Sequence, residues 1–239
     1  MLNDFEKLAD VYSRSHSLPD KLYSYVPTLL KVVEPSGKTI LDLGCGDGFY
    51  TVRYAETGAK ISIGLDNAKA QLARAITINQ RPDVRYIFAD VFTDTMPPAD
   101  VIAAPFLLNY ASTQGELQQL IDNMGRSLIS GGKVVGIVDM PIRGSAARKY
   151  GTETTVLRQP LGDGSELRID LFDSAHIISI RAFFFTQETI QHAFEQLGFS
   201  ALTWHNPIVS PIGYELFGAE YWAQYLSNPA VAYFSAEKL

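Results

Sequence analysis

Short apolar runs alternate with amphipathic segments along the chain from residue 38 onwards. The runs predict β-strands over residues 38–43, 60–65, 84–89, 100–104 and 133–139. Apolar residues at helical spacing predict helices over residues 49–57, 68–80 and 117–129. Thr113 and Glu116 form a T-x-x-E capping box ahead of the third helix. Strands that alternate with helices indicate a parallel sheet covered on both faces.

The pattern changes after residue 139. Residues 152–160 and 166–173 flank the sequence LGDGS and predict a β-hairpin that turns at Asp163–Gly164. Beyond it, the chain predicts a strand over 176–185, a helix over 186–198 capped by Thr186, and a strand over 199–205. The simplest organisation is one α/β domain with a helical N-terminal segment, a hairpin insertion and an aromatic C-terminal tail.

A glycine loop, LGCGDG, joins the first predicted strand to the first predicted helix. Gly44, Gly46 and Gly48 permit positive φ angles and a close approach of the backbone to a ligand. A dinucleotide-binding loop needs a third glycine where Phe49 stands, and no Gly-Lys-Ser/Thr sequence is present for a phosphate-binding P-loop. With Asp42 just before it, the loop suits a zwitterionic, methionine-like group better than a phosphate.

Two further acids end the next two predicted strands. Asp66 follows the second strand, where a carboxylate accepts hydrogen bonds from ribose hydroxyls. Asp90 follows the third strand, where it can accept from an adenine amino group, and the Val91 N–H can donate to a ring nitrogen. Each acid alone could also be a loop residue or a helix cap. Three acids at successive strand ends together indicate a nucleoside-binding edge.

With these motifs the chain resembles class I S-adenosylmethionine-dependent methyltransferases, and the resemblance covers about residues 38–205. KLYSYVPTLL, LGCGDGFYT, PFLLNYAST and EYWAQYLSNPAVAYF also resemble small-molecule methyltransferases of the toxoflavin-synthase type. The resemblance implies a Rossmann-like, doubly wound, seven-stranded, mostly parallel sheet with an antiparallel last strand, plus N-terminal helices and the hairpin as a lid. In one domain over 1–239, it implies an N-terminal cap (1–37), a cofactor-binding core (38–139), the insertion (140–175) and C-terminal strands, helix and tail (176–239).

The resemblance implies S-adenosylmethionine as cofactor, S-adenosylhomocysteine as product, and an N, O or C atom of a small heteroaromatic or secondary-metabolite acceptor. The expected cofactor-binding residues are Tyr12, Tyr23, Asp42, Gly44, Cys45, Gly46, Asp66, Asn67, Asp90, Val91, Pro105, Phe106 and Tyr110. For Tyr12, Phe106 and Tyr110, core packing remains an alternative. Asn67 is also a candidate N-cap for the second helix.

A general base is needed only where the acceptor atom starts protonated with a high pKa. His16, in the N-terminal segment, and Asp139, at the end of the fifth strand, are the candidate bases or substrate contacts. An exposed loop histidine and simple loop polarity are the respective alternatives. The four histidines show no metal-ligand spacing, so no metal is expected.

The net charge of −6 and the absence of a Lys/Arg run argue against a nucleic-acid partner. A single cysteine, no secretory signal and no apolar run of ~20 residues favour a cytoplasmic protein without a membrane partner. A homodimer through the hairpin remains open. So do two other functions, a nicotinamide-dependent oxidoreductase and a non-catalytic adenosyl-ligand-binding protein.

Overall fold

The computed structural model describes residues 3–141, 148–172 and 176–239. Parts of the predicted insertion, residues 142–147 and 173–175, lie outside the described residues. The helices are α1 (Phe5–Tyr12), α2 (Val26–Val33), α3 (Phe49–Glu56), α4 (Lys69–Ile78), α5 (Gln114–Ser127), α6 (Gln187–Gln196), α7 (Pro211–Phe217) and α8 (Ala219–Ser227). The strands are β1 (Thr39–Leu43), β2 (Ile61–Asp66), β3 (Val84–Phe88), β4 (Ala99–Pro105), β5 (Leu128–Asp139), β6 (Thr152–Val156), β7 (Ser165–Phe172), β8 (Ile177–Phe184), β9 (Thr203–His205) and β10 (Val231–Glu237).

Seven strands form the main sheet in the order β3-β2-β1-β4-β5-β10-β9. The first five are parallel to one another, and β10 runs antiparallel to both β5 and β9. The predicted Rossmann-like fold with an antiparallel last strand is confirmed. Because the five parallel strands share one orientation, their carboxyl ends meet at one edge of the sheet, where ligands bind in such folds.

One strand of the main sheet differs from those the sequence predicts. Residues 176–185 form β8, which pairs with β7 in a separate antiparallel sheet, β6-β7-β8. The position next to β5 in the main sheet is occupied by β10, which lies in the segment predicted as an aromatic tail. Neighbouring Tyr233 and Phe234 of β10 are fully buried on opposite faces, so this strand is an interior strand of the sheet.

Both faces of the main sheet are covered. On one face α5 and α6 pack through Leu117 and Phe194. On the other, α2, α3 and α8 pack through residues such as Leu29, Tyr54 and Trp222. Trp222 is fully buried, and its Nε1 donates to the Gly213 carbonyl at 2.9 Å, so the aromatic part of the tail docks on the core.

The smaller sheet stands beside the carboxyl edge and packs its buried face against α1. Its predicted hairpin forms between β6 and β7. The connection, residues 157–164, is wider than a tight turn at Asp163–Gly164. The Asp163 carboxylate explains the wider loop, since it accepts from Thr186 N at 2.7 Å and Thr189 Oγ1 at 2.5 Å at the start of α6.

Helix termini follow the predicted capping chemistry in two places. Thr113 Oγ1 accepts from Glu116 N, and Thr186 Oγ1 accepts from Thr189 N. In the part of the chain that the structure describes, no helix has the length and apolar character to cross a membrane.

Candidate active site

The glycine loop lies at the carboxyl end of β1 in a left-handed conformation. The φ angles of Gly44, Gly46 and Gly48 are +67°, +56° and +82°. A Cβ on Gly44 would approach Leu107 Cδ1 to 3.2 Å, in addition to its strained φ. Glycine therefore keeps the backbone of this loop at the wall of a pocket that Gly44 and Gly46 both line.

That pocket, which we call the cofactor pocket, has a cavity volume of about 270 Å³. Eleven of the thirteen residues predicted to bind the cofactor line this pocket, together with His16, one of the two predicted bases. Those that line the pocket are Tyr12, His16, Asp42, Gly44, Cys45, Gly46, Asp66, Asn67, Val91, Pro105, Phe106 and Tyr110. The structure thus brings most of the predicted residues to one cavity.

Two predicted cofactor residues do not line the cofactor pocket. Tyr23 packs its ring on Phe217 of α7, with centroids 5.7 Å apart. Asp90 keeps its carboxylate within its own turn, where Oδ1 accepts from Phe92 N at 3.0 Å. Ala89, Val91 and Phe92 form the wall there instead.

Asp42 and Asp66 are held differently at the strand ends. Asp42 is fully buried and accepts from Thr51 Oγ1 at 2.5 Å; burial, and secondarily Asp66, raises its pKa to about 7. Asp66 accepts from the backbone N–H groups of Gly46 and Ala68, each at 2.8 Å, and burial raises its pKa. The Asp66 carboxylate keeps lone pairs free for ligand hydroxyls, since each oxygen accepts only one of these bonds.

The N-terminus of α4 is capped by a side chain from another helix. The N-cap position is Ala68, so the predicted Asn67 cap is wrong; no Asn67 side-chain bond closes the helix. The Glu6 carboxylate of α1 caps it instead, accepting from Lys69 N at 2.6 Å and Ala70 N at 2.9 Å. This contact fastens α1 over the cofactor pocket, where Phe5 and Tyr12 line the cavity.

His16 is a weak proton acceptor in this setting. Its Nε2 lies 2.8 and 2.9 Å from the two Asp47 carboxylate oxygens, and its ring stacks on Phe49 with centroids 4.1 Å apart. Burial, and secondarily the charge of Lys21, lowers the His16 pKa to about 4. At neutral pH the imidazole is therefore uncharged and donates its Nε2 hydrogen to Asp47.

Lys21 and Asp47 are site residues that the sequence reasoning missed. Asp47 is buried within the glycine loop itself, which was the available signal for it. Lys21 is buried in a π-helical turn, Lys21–Tyr25, and its Nζ faces the rings of Tyr12 and Phe49 at 5.2 and 4.9 Å. Burial lowers the Lys21 pKa to about 8, so the ammonium group is retained at neutral pH.

A second cavity, which we call the acceptor chamber, adjoins the cofactor pocket. Four residues line both cavities: Tyr12, Lys21, Phe106 and Tyr110. The chamber has a volume of about 50 Å³ and lies between the main sheet and the small sheet. Asp139 lines this chamber and not the cofactor pocket, at the end of β5.

The cofactor pocket fits an S-adenosylmethionine molecule by its unsatisfied groups. Buried polar atoms without a hydrogen-bond partner include Tyr50 Oη, Gln71 Oε1 and His16 Nδ1, and all three residues line the pocket. Buried polar groups are normally hydrogen-bonded, so these atoms indicate a ligand that supplies donors and acceptors. Asp42 and Asp66 add carboxylates for a cation and for hydroxyl groups.

Comparison with known proteins agrees with this geometry. Residues 40–132 match the family model described as "Methyltransferase domain". No curated protein matches the chain. Among solved structures, an S-adenosylmethionine-dependent methyltransferase from Mesorhizobium loti is 20% identical, with a TM-score of 0.65, over 94% of this chain and 100% of that one.

Two further solved structures of named methyltransferases are also similar to the chain. CalS10 from Micromonospora echinaspora, solved with S-adenosylmethionine bound and described as an amino pentose methyltransferase of calicheamicin biosynthesis, is 20% identical. Its TM-score is 0.54, over 99% of this chain and 92% of that one. The CcbJ methyltransferase from Streptomyces caelestis is 14% identical, with a TM-score of 0.65, over 97% of this chain and 96% of that one. At these identities the likeness establishes the fold.

Proposed function

We propose that this chain, whose residues 40–132 match a model described as "Methyltransferase domain", uses S-adenosylmethionine to methylate an N, O or C atom of a small molecule held in the acceptor chamber. The observation that carries this proposal is the chamber itself, which meets the cofactor pocket at Tyr12, Lys21, Phe106 and Tyr110. A small heteroaromatic compound or secondary metabolite suits its apolar walls. CalS10, whose description names an amino pentose, is a similar fold with a small acceptor.

When bound, S-adenosylmethionine supplies a methyl group already activated by a positive sulfur. The protein's own task is orientation: Asp42 and Asp66 hold the cofactor, while the chamber walls hold the acceptor in line with the methyl group. Such alignment is worth roughly 7–11 kcal/mol in well-oriented systems. The α1 cover and the small sheet exclude water from the reacting groups.

The narrow chamber and the net charge of −6 also support a small acceptor over a nucleic acid. A cytoplasmic location and a homodimer contact through the insertion stay predictions. The oxidoreductase alternative has no support, since the matched family is a methyltransferase.

The first test is calorimetric titration with S-adenosylmethionine and S-adenosylhomocysteine. We expect micromolar binding by the unaltered protein and a loss of about tenfold or more in Asp66→Ala, because charge-assisted hydrogen bonds contribute about 1.5–3 kcal/mol. Asp66→Asn serves as a second variant, since its amide oxygen keeps an acceptor for one of the two N–H groups, of Gly46 or Ala68. Asp83→Ala, at an ion pair with Arg81 outside the pocket, is the matched control.

Absence of binding by the folded, unaltered protein would contradict the proposal. Turnover of any acceptor to S-adenosylhomocysteine would eliminate a non-catalytic adenosyl-binding role. Cofactor binding without turnover across a broad screen of small acceptors would favour that role instead.

A further inference from the structure

The acceptor chamber contains three charged side chains among its described lining residues, and they are not equivalent. Asp20 and Asp139 are acids, and Lys21 is the base. The Lys21 ammonium group is directed to the aromatic rings at the cofactor side and to Ser15 Oγ, 3.4 Å away. The part of the chamber enclosed by the two acids therefore carries a surplus of negative charge.

Asp20 is already committed to the fold. It accepts from its neighbour Lys21 N at 2.7 Å and from Tyr25 Oη at 3.0 Å. These partners satisfy its oxygens without a ligand. Asp20 therefore contributes only its negative charge to the chamber.

The Asp139 carboxylate has no such partners. It is only 6% exposed, yet within the described chain it accepts no hydrogen bond from a side chain or the backbone. Its position is nonetheless fixed, because its backbone N–H donates to Asn109 Oδ1 at 3.0 Å. Asn109 Nδ2 donates to the Phe183 carbonyl at 2.9 Å, and among the described residues this amide makes no hydrogen bond to the Asp139 carboxylate.

A buried carboxylate without donors is unfavourable unless a ligand supplies them. The other residues that line the chamber restrict the chemistry of that ligand. Apart from Thr152 of β6, the small sheet presents apolar side chains to it, from Ile169, Leu171, Ile180 and Ala182. The matching molecule is compact and apolar, with one donor-rich, cationic group.

From this arrangement we infer that the acceptor is a compact amine with an apolar body, and that Asp139 binds its nitrogen. This inference rests on the proposed function and deepens it. In the step, the Asp139 carboxylate takes one proton from the bound ammonium group. The freed lone pair of nitrogen forms a bond to the methyl carbon as the carbon–sulfur bond breaks. The electrons of that bond pass to sulfur, giving the neutral thioether and an N-methylammonium product.

The test uses matched pairs of an amine and its alcohol: ethylamine and ethanol, isobutylamine and isobutanol, and benzylamine and benzyl alcohol. Each is titrated by calorimetry into the full-length protein saturated with S-adenosylhomocysteine. We expect at least one amine to bind about tenfold or more tightly than its alcohol, because a charged hydrogen bond is formed only by the amine. Asp139→Asn should remove that preference while leaving S-adenosylhomocysteine binding unchanged.

Glu215→Gln removes one carboxylate from exposed α7 and is the matched control, which should keep the amine preference. Equal binding of amines and alcohols, no binding of any amine, or an undiminished preference in Asp139→Asn would each overturn the inference. Failure of the proposed function gives a different result, since S-adenosylhomocysteine itself would then not bind.

Discussion

Asp42 carries a charge at a position where burial opposes it. Its pKa is raised to about 7 from a reference value of 3.8, chiefly by burial. A carboxyl whose pKa is raised by folding stabilises the protein fully below pH 3.8 and loses that contribution as the pH rises through 7. The same charge is what a cationic cofactor needs, so binding and stability make opposite demands on this residue.

Asp42→Asn should therefore raise the stability of the ligand-free protein at pH 8 by about 1–3 kcal/mol, and by a smaller amount at pH 5. The asparagine oxygen can still accept from Thr51. The same variant should bind S-adenosylmethionine more weakly. Thermal unfolding at the two pH values, with titration alongside, measures both effects; an equal stability gain at both pH values would show that ionisation of Asp42 is not the cause.

Glu6 connects two helices that are far apart in sequence. It lies in α1, but it caps α4 by accepting from Lys69 N and Ala70 N. A carboxylate at a helix N-terminus is favourable by both hydrogen bonding and the helix dipole. At the level of elements, this one side chain holds the cover on the cofactor pocket.

Removal of this cap should loosen the cover. Glu6→Ala should speed the release of S-adenosylhomocysteine about fivefold, corresponding to about 1 kcal/mol for a lost cap. Glu6→Gln keeps an amide oxygen as acceptor and should show a smaller change. Stopped-flow dissociation rates provide the measurement, and equal rates in all three proteins would mean that α1 does not retain the ligand.

The elements themselves were largely predictable, and their exceptions have physical causes. The five parallel strands are short apolar runs whose pattern is local, so sequence identifies them. The place of β10 depends on β5, since a Cβ on Gly136 would come within 2.4 Å of the Phe234 ring. The local pattern of apolar residues carries no information about such a long-range contact. The sequence therefore predicted β8, rather than β10, as a strand of the main sheet.

The site residues divide in the same way, into those that local sequence patterns predict and those that long-range contacts position. Residues at strand ends, such as Asp42 and Asp66, were predictable because topology places them at one edge. Lys21 was not, since its approach to the pocket depends on a π-helical turn and on ring contacts from α3. Tyr23, two residues later, points instead to α7.

At the scale of the whole molecule, the cover and the small sheet are joined. Asn3 Nδ2 donates to the Arg181 carbonyl, and Arg181 N donates to Asn3 Oδ1, both at 2.7 Å. Asn3 also lines the cofactor pocket, whereas the strands of the small sheet line only the acceptor chamber. We therefore expect cofactor binding to restrict the motion of the small sheet, which forms one wall of the acceptor chamber, through the Asn3–Arg181 hydrogen bonds.

Hydrogen exchange followed by mass spectrometry tests this coupling. S-adenosylhomocysteine alone should slow exchange in both α1 and β8, while exposed α7 remains unchanged. In Asn3→Ala, the protection of β8 should fall and that of α1 should persist. Equal protection of β8 in both proteins would show that the two segments respond independently.

The Asn3–Arg181 pair has a practical consequence for producing the protein. An affinity tag fused ahead of Met1 would begin two residues from a side chain that both lines the cofactor pocket and binds the small sheet. A tag after Leu239, whose side chain is 83% exposed, avoids that contact. Protein for acceptor screening is therefore best purified through a tag placed after Leu239, which leaves the contacts of Asn3 undisturbed.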